Sequence, residues 1–402
     1  LNTYIVVHYG EIGIKGKNRP FFERHLEYNI HQALQAKVIQ LKRLNQRLLV
    51  EVDATHIEEA KNSIEKTLGV AWYAIVESID LSYEQIRNAA LRAIKSKPIT
   101  SSTTFKISAR RSNKDFLINS IELAKKLGDD IRRELNLAVN LSNPEITIYI
   151  DILSDRAIVY CEKVRGQGGL PVGVSGRVMH LFSGGIDSPV AAWLMMKRGC
   201  IPILIHFYVA PDAASILKTK IIHITKKLSE HGGKMLLLLI PFSPYQIATT
   251  SISQDHEPVV FRHFMNIVAE HLARRFHALA ISTGDNLAQV ASQTLSNIAC
   301  IDAGCSTPIL RPLLGFDKNE IVELSKRIGT YESSIEMYKD CCSIISRHPK
   351  TKLKIEHVAY YSKQLNFDEL AEKCISQGSI VIYNPLDEHL SLAPLHNYQN
   401  SS

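Results

Sequence analysis

At residue 178 the apolar run Val178-Met179-His180-Leu181-Phe182 passes directly into Ser183-Gly184-Gly185-Ile186-Asp187-Ser188 and a helix start at Pro189. A strand that enters a helix through a glycine-rich turn aims bare backbone N–H groups and the positive helix end at one point, which suits a phosphate. The glycines remove the Cβ atoms that would hold an anion off, and proline is tolerated in a first helical turn. Ser183 and Ser188 add hydroxyl donors. Asp187 is the odd member, because a carboxylate beside phosphates repels them unless a cation lies between, and Mg²⁺ with a nucleotide is the economical reading. The plain alternative is an ordinary glycine turn.

The chain beyond this turn repeats its logic. Val178–Phe182, Ile201–Phe207, Met235–Ile240 and Ala278–Thr283 are short, nearly continuous apolar runs separated by helical stretches, as strands buried on both faces require. The expected C-terminal fold is a doubly wound parallel sheet with its ligand at the carboxyl ends of the strands. Ser183, His206-Phe207 and Thr283-Gly284-Asp285 all lie at such ends, so three loops should surround one pocket. Asp317 with Glu320 reads as a capping box for a helix that stops at Gly329. Beyond residue 355 the pattern is weak, and a helix and a tail are all that it predicts.

Ahead of the turn, shorter strands and helices alternate. Ile5 to Tyr9 reads as a strand, Phe21 to Ala36 as a helix and Leu48 to Val52 as a strand. Ile57, Ala60, Ile64 and Leu68 recur at helical spacing and stop at Gly69. Ser82 and Gln85 read as a capping box. Glu145 to Ile152 alternates strictly, which predicts a sheet with one buried face. The stretch Arg165 to Gly176, dense in glycine, marks the main boundary.

With 402 residues, two or three domains and a substantial core are expected. The net charge of +7 permits an acidic partner, and the excess sits early: residues 1–165 hold 25 Lys and Arg against 20 Asp and Glu. Seven scattered cysteines do not form a disulfide framework, so a reducing cytoplasm is the expected compartment. No apolar stretch has membrane-spanning length, and the opening residues read as a strand instead of a leader. Cys300 and Cys305 lack metal-ligand spacing.

The ordered set of motifs resembles the tRNA 4-thiouridine synthetase, or tRNA sulfurtransferase, family over nearly the whole chain. It comprises His8-Tyr9-Gly10-Glu11-Ile12-Gly13-Ile14-Lys15-Gly16-Lys17-Asn18-Arg19, Gly168-Gly169-Leu170-Pro171-Val172-Gly173, Ser183 to Ala191, Ser282-Thr283-Gly284, Gln289 to Leu295, Arg311-Pro312-Leu313 and Asp340-Cys341-Cys342. The resemblance implies N-terminal ferredoxin-like and THUMP α+β units followed by a PP-loop ATP pyrophosphatase domain of the doubly wound α/β class. The expected divisions are a ferredoxin-like domain at 1–55, an RNA-binding THUMP domain at 56–165, a linker at 166–176 and the PP-loop domain at 177–402.

The implied chemistry is adenylation of uridine O4 by ATP, then replacement of that oxygen by sulfur carried on a cysteine persulfide, with the eighth nucleotide of tRNA as the expected target. Ser183, Gly184, Gly185 and Ser188 would hold the departing pyrophosphate, with Asp187 acting through Mg²⁺ or orienting the loop. Leu181, Phe182, His206, Phe207, Arg262, Gly284 and Gln293 would line the ATP site, and Cys342 would carry the sulfur. Lys318 stands either toward the phosphates or in solvent. For tRNA phosphates the expected contacts are Lys15, Lys17, Arg19, Arg110, Arg111 and Lys114. Some relatives carry a Cys-x-x-Cys pair near the segment Val259-Val260-Phe261-Arg262 for an iron–sulfur cluster; those places are apolar here, so no cluster is expected.

Other members end in a rhodanese domain bearing the persulfide cysteine, and this sequence stops before one could fit. The expected sulfur donor is therefore a separate cysteine desulfurase, or a separate rhodanese protein, with Cys341, Cys300 or Cys305 as candidates to resolve the resulting disulfide. A homodimer and a second role in supplying sulfur for the thiazole of thiamine are both compatible with the resemblance. The competing reading is a PP-loop ligase that adenylates a small molecule.

Overall fold

The computed structural model describes residues 2–44, 46–112, 116–341, 345, 350–386 and 388–398. The chain divides into two units, Leu1–Gly168 and Gly169–Ser402.

In the first unit the order is β1 (Asn2–Tyr9), α1 (Arg19–Leu34), β2 (Val38–Leu44), β3 (Arg47–Asp53), α2 (Ile57–Lys66), β4 (Val70–Ile79), α3 (Tyr83–Lys95), β5 (Thr104–Arg111), α4 (Ser120–Leu135), β6 (Ala138–Val139), β7 (Ile146–Ile152), β8 (Ala157–Tyr160) and β9 (Val164–Arg165). One sheet runs β2-β3-β1-β4-β8-β7-β5-β6, with β9 added on β4. Strand periodicity divides the side chains between its faces. Ile5 and Val7 meet Leu26, Ile30, Ala60 and Ile64 of α1 and α2, while Ile148 and Ile150 meet Ile86, Leu123 and Leu127 of α3 and α4. The first of these cores also takes in Val70 and Tyr73 of β4, well past residue 55.

Two expectations fail here for local reasons. Ser82 precedes α3 without capping it through its side chain; Gln85 instead accepts from the Asp80 backbone N–H at 3.2 Å and donates to its carboxylate at 3.3 Å. The second face of β7 is not solvated either. Asp151 is buried, paired with Arg47 of β3, and Tyr149 packs beside a further cluster containing Val6, Leu49, Ala74, Ile158 and Tyr160.

The second unit contains β10 (Arg177–Leu181), α5 (Asp187–Lys197), β11 (Ile201–Tyr208), α6 (Lys220–Gly232), β12 (Met235–Pro241), α7 (Ser243–Ala248), α8 (Glu257–Phe276), β13 (Ala278–Ser282), α9 (Leu295–Asp302), β14 (Ile309–Leu310), α10 (Lys318–Arg327), α11 (Tyr331–Ile335), α12 (Ile355–Gln364), α13 (Phe367–Ser376), β15 (Ser379–Asn384) and β16 (His389–Pro394). Its sheet runs β14-β13-β10-β11-β12-β15-β16. The pairs from β14 to β12 are parallel, as the apolar runs predict. Met179 and Leu181 face α8 through Phe264, Val268 and Leu272, whereas Val178 packs with Met195 of α5 on the opposite face. The residues after 355 are more than a helix and a tail: β15 pairs antiparallel with β12, and β16 with β15.

The glycine-rich stretch is tied down on both sides of the division. Gly168 N–H donates to Val70 O at 2.7 Å, and Leu170 N–H to Lys197 O at 2.9 Å. Gly169, at φ +76°, would place a Cβ 2.3 Å from Lys197 O, so a side chain is excluded by backbone and by space together. Among the described residues no helix is long and apolar enough to cross a membrane.

Candidate active site

Everything at the site depends on how β10 ends. Phe182 N–H still bonds Ile205 O at 2.8 Å, then the chain turns at Gly184, φ +75°, where a Cβ would lie 2.3 Å from Ile221 Cδ1. Ser188 Oγ accepts from Ser183 N–H at 3.2 Å and lies 3.3 Å from Ser183 Oγ, which in turn accepts from Gly185 N–H at 3.3 Å. The hydroxyls therefore stitch the turn to the first turn of α5, whose N-terminus no side chain caps among the described residues. Its positive end is left for an anion.

Two histidines fix this turn from beneath. His180 is fully buried, with Nδ1 3.1 Å from Ser282 Oγ and Nε2 2.8 Å from Ser188 O, so Nε2 carries the proton and donates it to that carbonyl. His206 has Nδ1 2.8 Å from Phe182 O and Nε2 2.9 Å from Tyr338 Oη. By the same reasoning its Nδ1–H donates, and its Nε2 accepts from the tyrosine. Burial lowers the pKa of both rings to about 4, so both are neutral scaffolding at ordinary pH.

Ten of the residues expected at the nucleotide share one pocket: Leu181, Phe182, Ser183, Asp187, Ser188, His206, Phe207, Arg262, Gly284 and Gln293. Gly184 and Gly185 shape the turn without lining the pocket. Asp187 is held by Lys318 Nζ at 2.7 Å and by Gln289 Nε2 at 3.0 Å, so Lys318 faces the turn while remaining half exposed. Arg262 pairs with Asp285 at 2.5 Å, and Asp285 also receives Arg311 at 3.3 Å. Burial opposes ionisation of Asp285, but the two guanidinium charges outweigh it and hold the carboxyl below its usual range. Gly284 approaches protein instead of open space: a Cβ there would sit 2.9 Å from Ser188 N and Cα.

Asn266, Asp285, Asp340 and Cys341 also line the pocket; Cys341 is already a candidate resolving thiol and Asp285 part of the third expected loop, Asp340 appears in the sequence only as part of the cysteine motif, and Asn266, one helical turn from Arg262, was missed. The amide of Asn266 is oriented by donation to Ile301 O at 3.1 Å, and its Oδ1 is buried without a hydrogen-bond partner among the described residues, as is Gln293 Oε1. Two unmet acceptors in one pocket call for N–H or O–H donors from a ligand. Tyr338 and Lys220 carried no sequence signal. Lys220 is buried on α6 and its ammonium donates to Ser334 O at 2.8 Å and Glu336 O at 2.9 Å. Cys342 and Lys114 lie outside the described residues.

The residues expected to meet RNA are dispersed in the first unit. Lys15 lies over the Phe22 ring at 5.1 Å, Lys17 is exposed, and Arg19 is paired with Glu23 at 2.7 Å. Arg110 is exposed. Arg111 is half-buried and donates to Phe116 O at 2.8 Å, a bond that holds the loop after β5.

A mixed α/β sheet with a parallel body, one of whose inner strands ends in a hydroxyl-stitched glycine turn under an uncapped helix, is the PP-loop architecture. Comparison with known proteins gives the particular lineage. The family described as Thiamine biosynthesis protein (ThiI) matches residues 173–367, the THUMP domain residues 81–162 and the ThiI ferredoxin-like domain residues 4–74. A probable tRNA sulfurtransferase of Geobacillus kaustophilus is 39% identical over 94% of this chain and 95% of its own length. One of Acetivibrio thermocellus is 35% identical over 95% and 99%. A crystal structure described as a 4-thiouridine synthetase–RNA complex with bound ATP superposes with a TM-score of 0.85 at 30% identity, covering 95% of this chain and 100% of that one. The chain belongs to the tRNA sulfurtransferase family.

Proposed function

We propose that the chain thiolates tRNA by the two-stage route its family resemblance implies, with ATP in the pocket of the second unit. The observation that carries this reading is the convergence of the Ser183–Ser188 turn with Asp340 and Cys341 in one pocket, because Cys341 immediately precedes the cysteine expected to carry sulfur. In the first stage uridine O4 attacks the α-phosphorus of ATP, the bond to the bridging oxygen breaks, pyrophosphate leaves and the base loses its N3 proton. The uncapped start of α5 and the hydroxyls of Ser183 and Ser188 receive the pyrophosphate charge. Lys318 and Arg262 add positive charge beside it.

Asp187 is the carboxylate carried by the turn itself, and a lone carboxylate beside phosphates fits an ion that keeps phosphate and water ligands, as Mg²⁺ does. When bound, that ion neutralises phosphate charge. Asp187, held between Lys318 and Gln289, would hold that ion and steady the turn.

In the second stage the terminal sulfur of a Cys342 persulfide attacks C4, the C4–O bond breaks and AMP leaves. A second thiolate then attacks Cys342 Sγ, releasing the thiocarbonyl and leaving a disulfide that an external dithiol must reduce. Of the candidates for that thiol, Cys341 lines the pocket, whereas burial pushes the thiols of Cys300 and Cys305 up. A cysteine desulfurase, directly or through a rhodanese protein, would load Cys342. A second role in supplying sulfur for the thiazole of thiamine stays compatible with the family resemblance, and the matching family is described as a thiamine biosynthesis protein.

The test mixes the protein with unmodified tRNA, Mg-ATP, cysteine and a desulfurase and assays pyrophosphate and thiolated nucleoside. Asp187→Ala should lose both products, and Cys342→Ala should retain tRNA-dependent pyrophosphate release alone. Pyrophosphate release that ignores tRNA would favour the small-molecule ligase.

A further inference from the structure

The sheet of the first unit carries its four helices on one face, and the other face closes on itself. Between β3 and β7 the order β3-β1-β4-β8-β7 sets four strand spacings, about 19 Å if the sheet were flat. An arginine and an aspartate cannot span that distance, yet Arg47 and Asp151 are hydrogen-bonded and both buried. The sheet therefore curls, with Val6, Leu49, Ala74, Ile158 and Tyr160 inside the curl.

At the edge of this concave face Lys163 stands on aromatic rings: its ammonium is 3.6 Å from the centroid of Tyr149 and 4.7 Å from that of Trp72. Tyr149 stacks on Tyr160, with centroids 5.0 Å apart, and His8 stacks on Trp72 at 3.8 Å. A cation held by ring faces keeps its N–H donors and has lost part of its chain entropy already, so an anion meets it preorganised.

The local charge is unbalanced. Arg110 and Arg47 both act on Lys163, and Asp151 is the carboxylate that acts on it, but Asp151 is already bonded to Arg47 and to Tyr160 Oη at 3.3 Å. Burial, together with Arg110 and Arg47, lowers the pKa of Lys163. Burial, with Arg47, Lys163 and Arg110, pushes His8 down to about 3, and its Nε2 is buried without a hydrogen-bond partner among the described residues. His8 begins the N-terminal motif, and the chemistry of the second unit leaves it unused.

We propose that Lys163 and Arg110, at the aromatic edge of this curled sheet, form a site for a backbone phosphate of the tRNA, with the His8–Trp72 stack as its wall. The proposal rests on the reading of the chain as a tRNA-binding enzyme and gives that binding a specific address. Arg110 is joined here by Lys163, while Arg111 gives one N–H of its guanidinium to the Phe116 carbonyl.

The experiment titrates the full-length protein into labelled, unmodified tRNA over a series of KCl concentrations, for wild type, Lys163→Gln, Arg110→Gln, Lys163→Arg and the control Lys125→Gln on the helical face. Each Gln variant at the site should weaken binding roughly 3- to 10-fold and lower the salt slope by about one, as loss of one phosphate contact does. Lys163→Arg should keep the slope, and Lys125→Gln should match wild type. Adding free phosphate at the tRNA's phosphate concentration should compete poorly; equal competition would make this a free-anion site and overturn the RNA assignment. If wild type binds tRNA while Lys163→Gln and Arg110→Gln bind it identically with the same slope, this address is wrong and the enzyme reading stands. If wild type itself fails to bind tRNA, both fall together.

Discussion

Gly284 and Gly184 show how single positions set the reaction geometry. The family resemblance puts Gly284 at the ATP site and it lines the pocket, while the space a side chain would need is taken by the first turn of α5: a Cβ would meet Ser188 N and Cα at 2.9 Å and the Asp187 carbonyl carbon at 3.1 Å. Backbone atoms cannot yield as a side-chain tip does. Gly284→Ala should therefore push β13's loop off α5, costing about 1–3 kcal/mol of stability and lowering tRNA-dependent pyrophosphate release more than tRNA affinity. Urea denaturation and a pyrophosphate assay check the two halves, and a variant with unchanged urea midpoint would refute the packing argument. At Gly184 backbone and space act together, φ +75° and Ile221 Cδ1 at 2.3 Å. That the glycines matter is legible in the sequence. What each makes room for is not, because the obstacle comes from residues remote in the chain.

The same limit operates on elements. Strands β10 to β13 are readable because burial on both faces forces continuous apolar runs, whereas β16, His389-Leu390-Ser391-Leu392-Ala393-Pro394, is an edge strand largely open to solvent and leaves little hydrophobic signal. Residues 334–338, just ahead of the cysteine motif, are likewise silent in sequence yet firmly placed. Lys220 on α6 holds Ser334 O and Glu336 O, and Tyr338 bonds His206, which bonds Phe182 O. These contacts link the thiol-bearing stretch to the phosphate turn. Tyr338→Phe would leave His206 Nε2 unpaired in a buried setting, at a cost of about 1–3 kcal/mol. It should slow sulfur transfer roughly 10-fold or more, since small misplacements of a reacting group are expensive, while sparing pyrophosphate release. Single-turnover measurement of pyrophosphate and thiolated nucleoside on one sample separates the stages, and equal loss of both would reject a positioning role for the tyrosine.

Across the whole molecule, histidines set the response to acid, and they pull in opposite directions. His271 on α8 lies between Glu372 and Asp368 of α13, at 2.5 and 2.9 Å; burial opposes its protonation, but hydrogen bonds to the two carboxylates outweigh this and raise its pKa. Its stabilising charge is fully present below the unfolded value of about 6.5 and is lost as pH rises through the raised folded value. His180 and His206, lowered to about 4, and His8, lowered to about 3, behave conversely. Below about pH 6.5 the unfolded chain takes up protons that these folded sites refuse, so stability falls as pH drops toward 4. A shift of that size at a buried ring is worth on the order of 3 kcal/mol, against well under that for the partly exposed His271 cluster, so the buried rings should dominate. None of this is visible in the sequence, where His180 and His271 are equally plain; only tertiary packing makes one a neutral donor beneath the turn and the other a cationic clip. The urea midpoint should fall steadily from pH 7 to 4.5. His206→Gln, which removes one refused proton, should flatten that decline even if its midpoint at pH 7 is lower. His271→Gln, whose charge is already fully bound below about pH 6.5, should lower the midpoint by a near-constant amount from there to pH 4.5 and leave the slope unchanged. A decline in His206→Gln parallel to wild type would mean that carboxylate protonation, and not these rings, governs the acid limb.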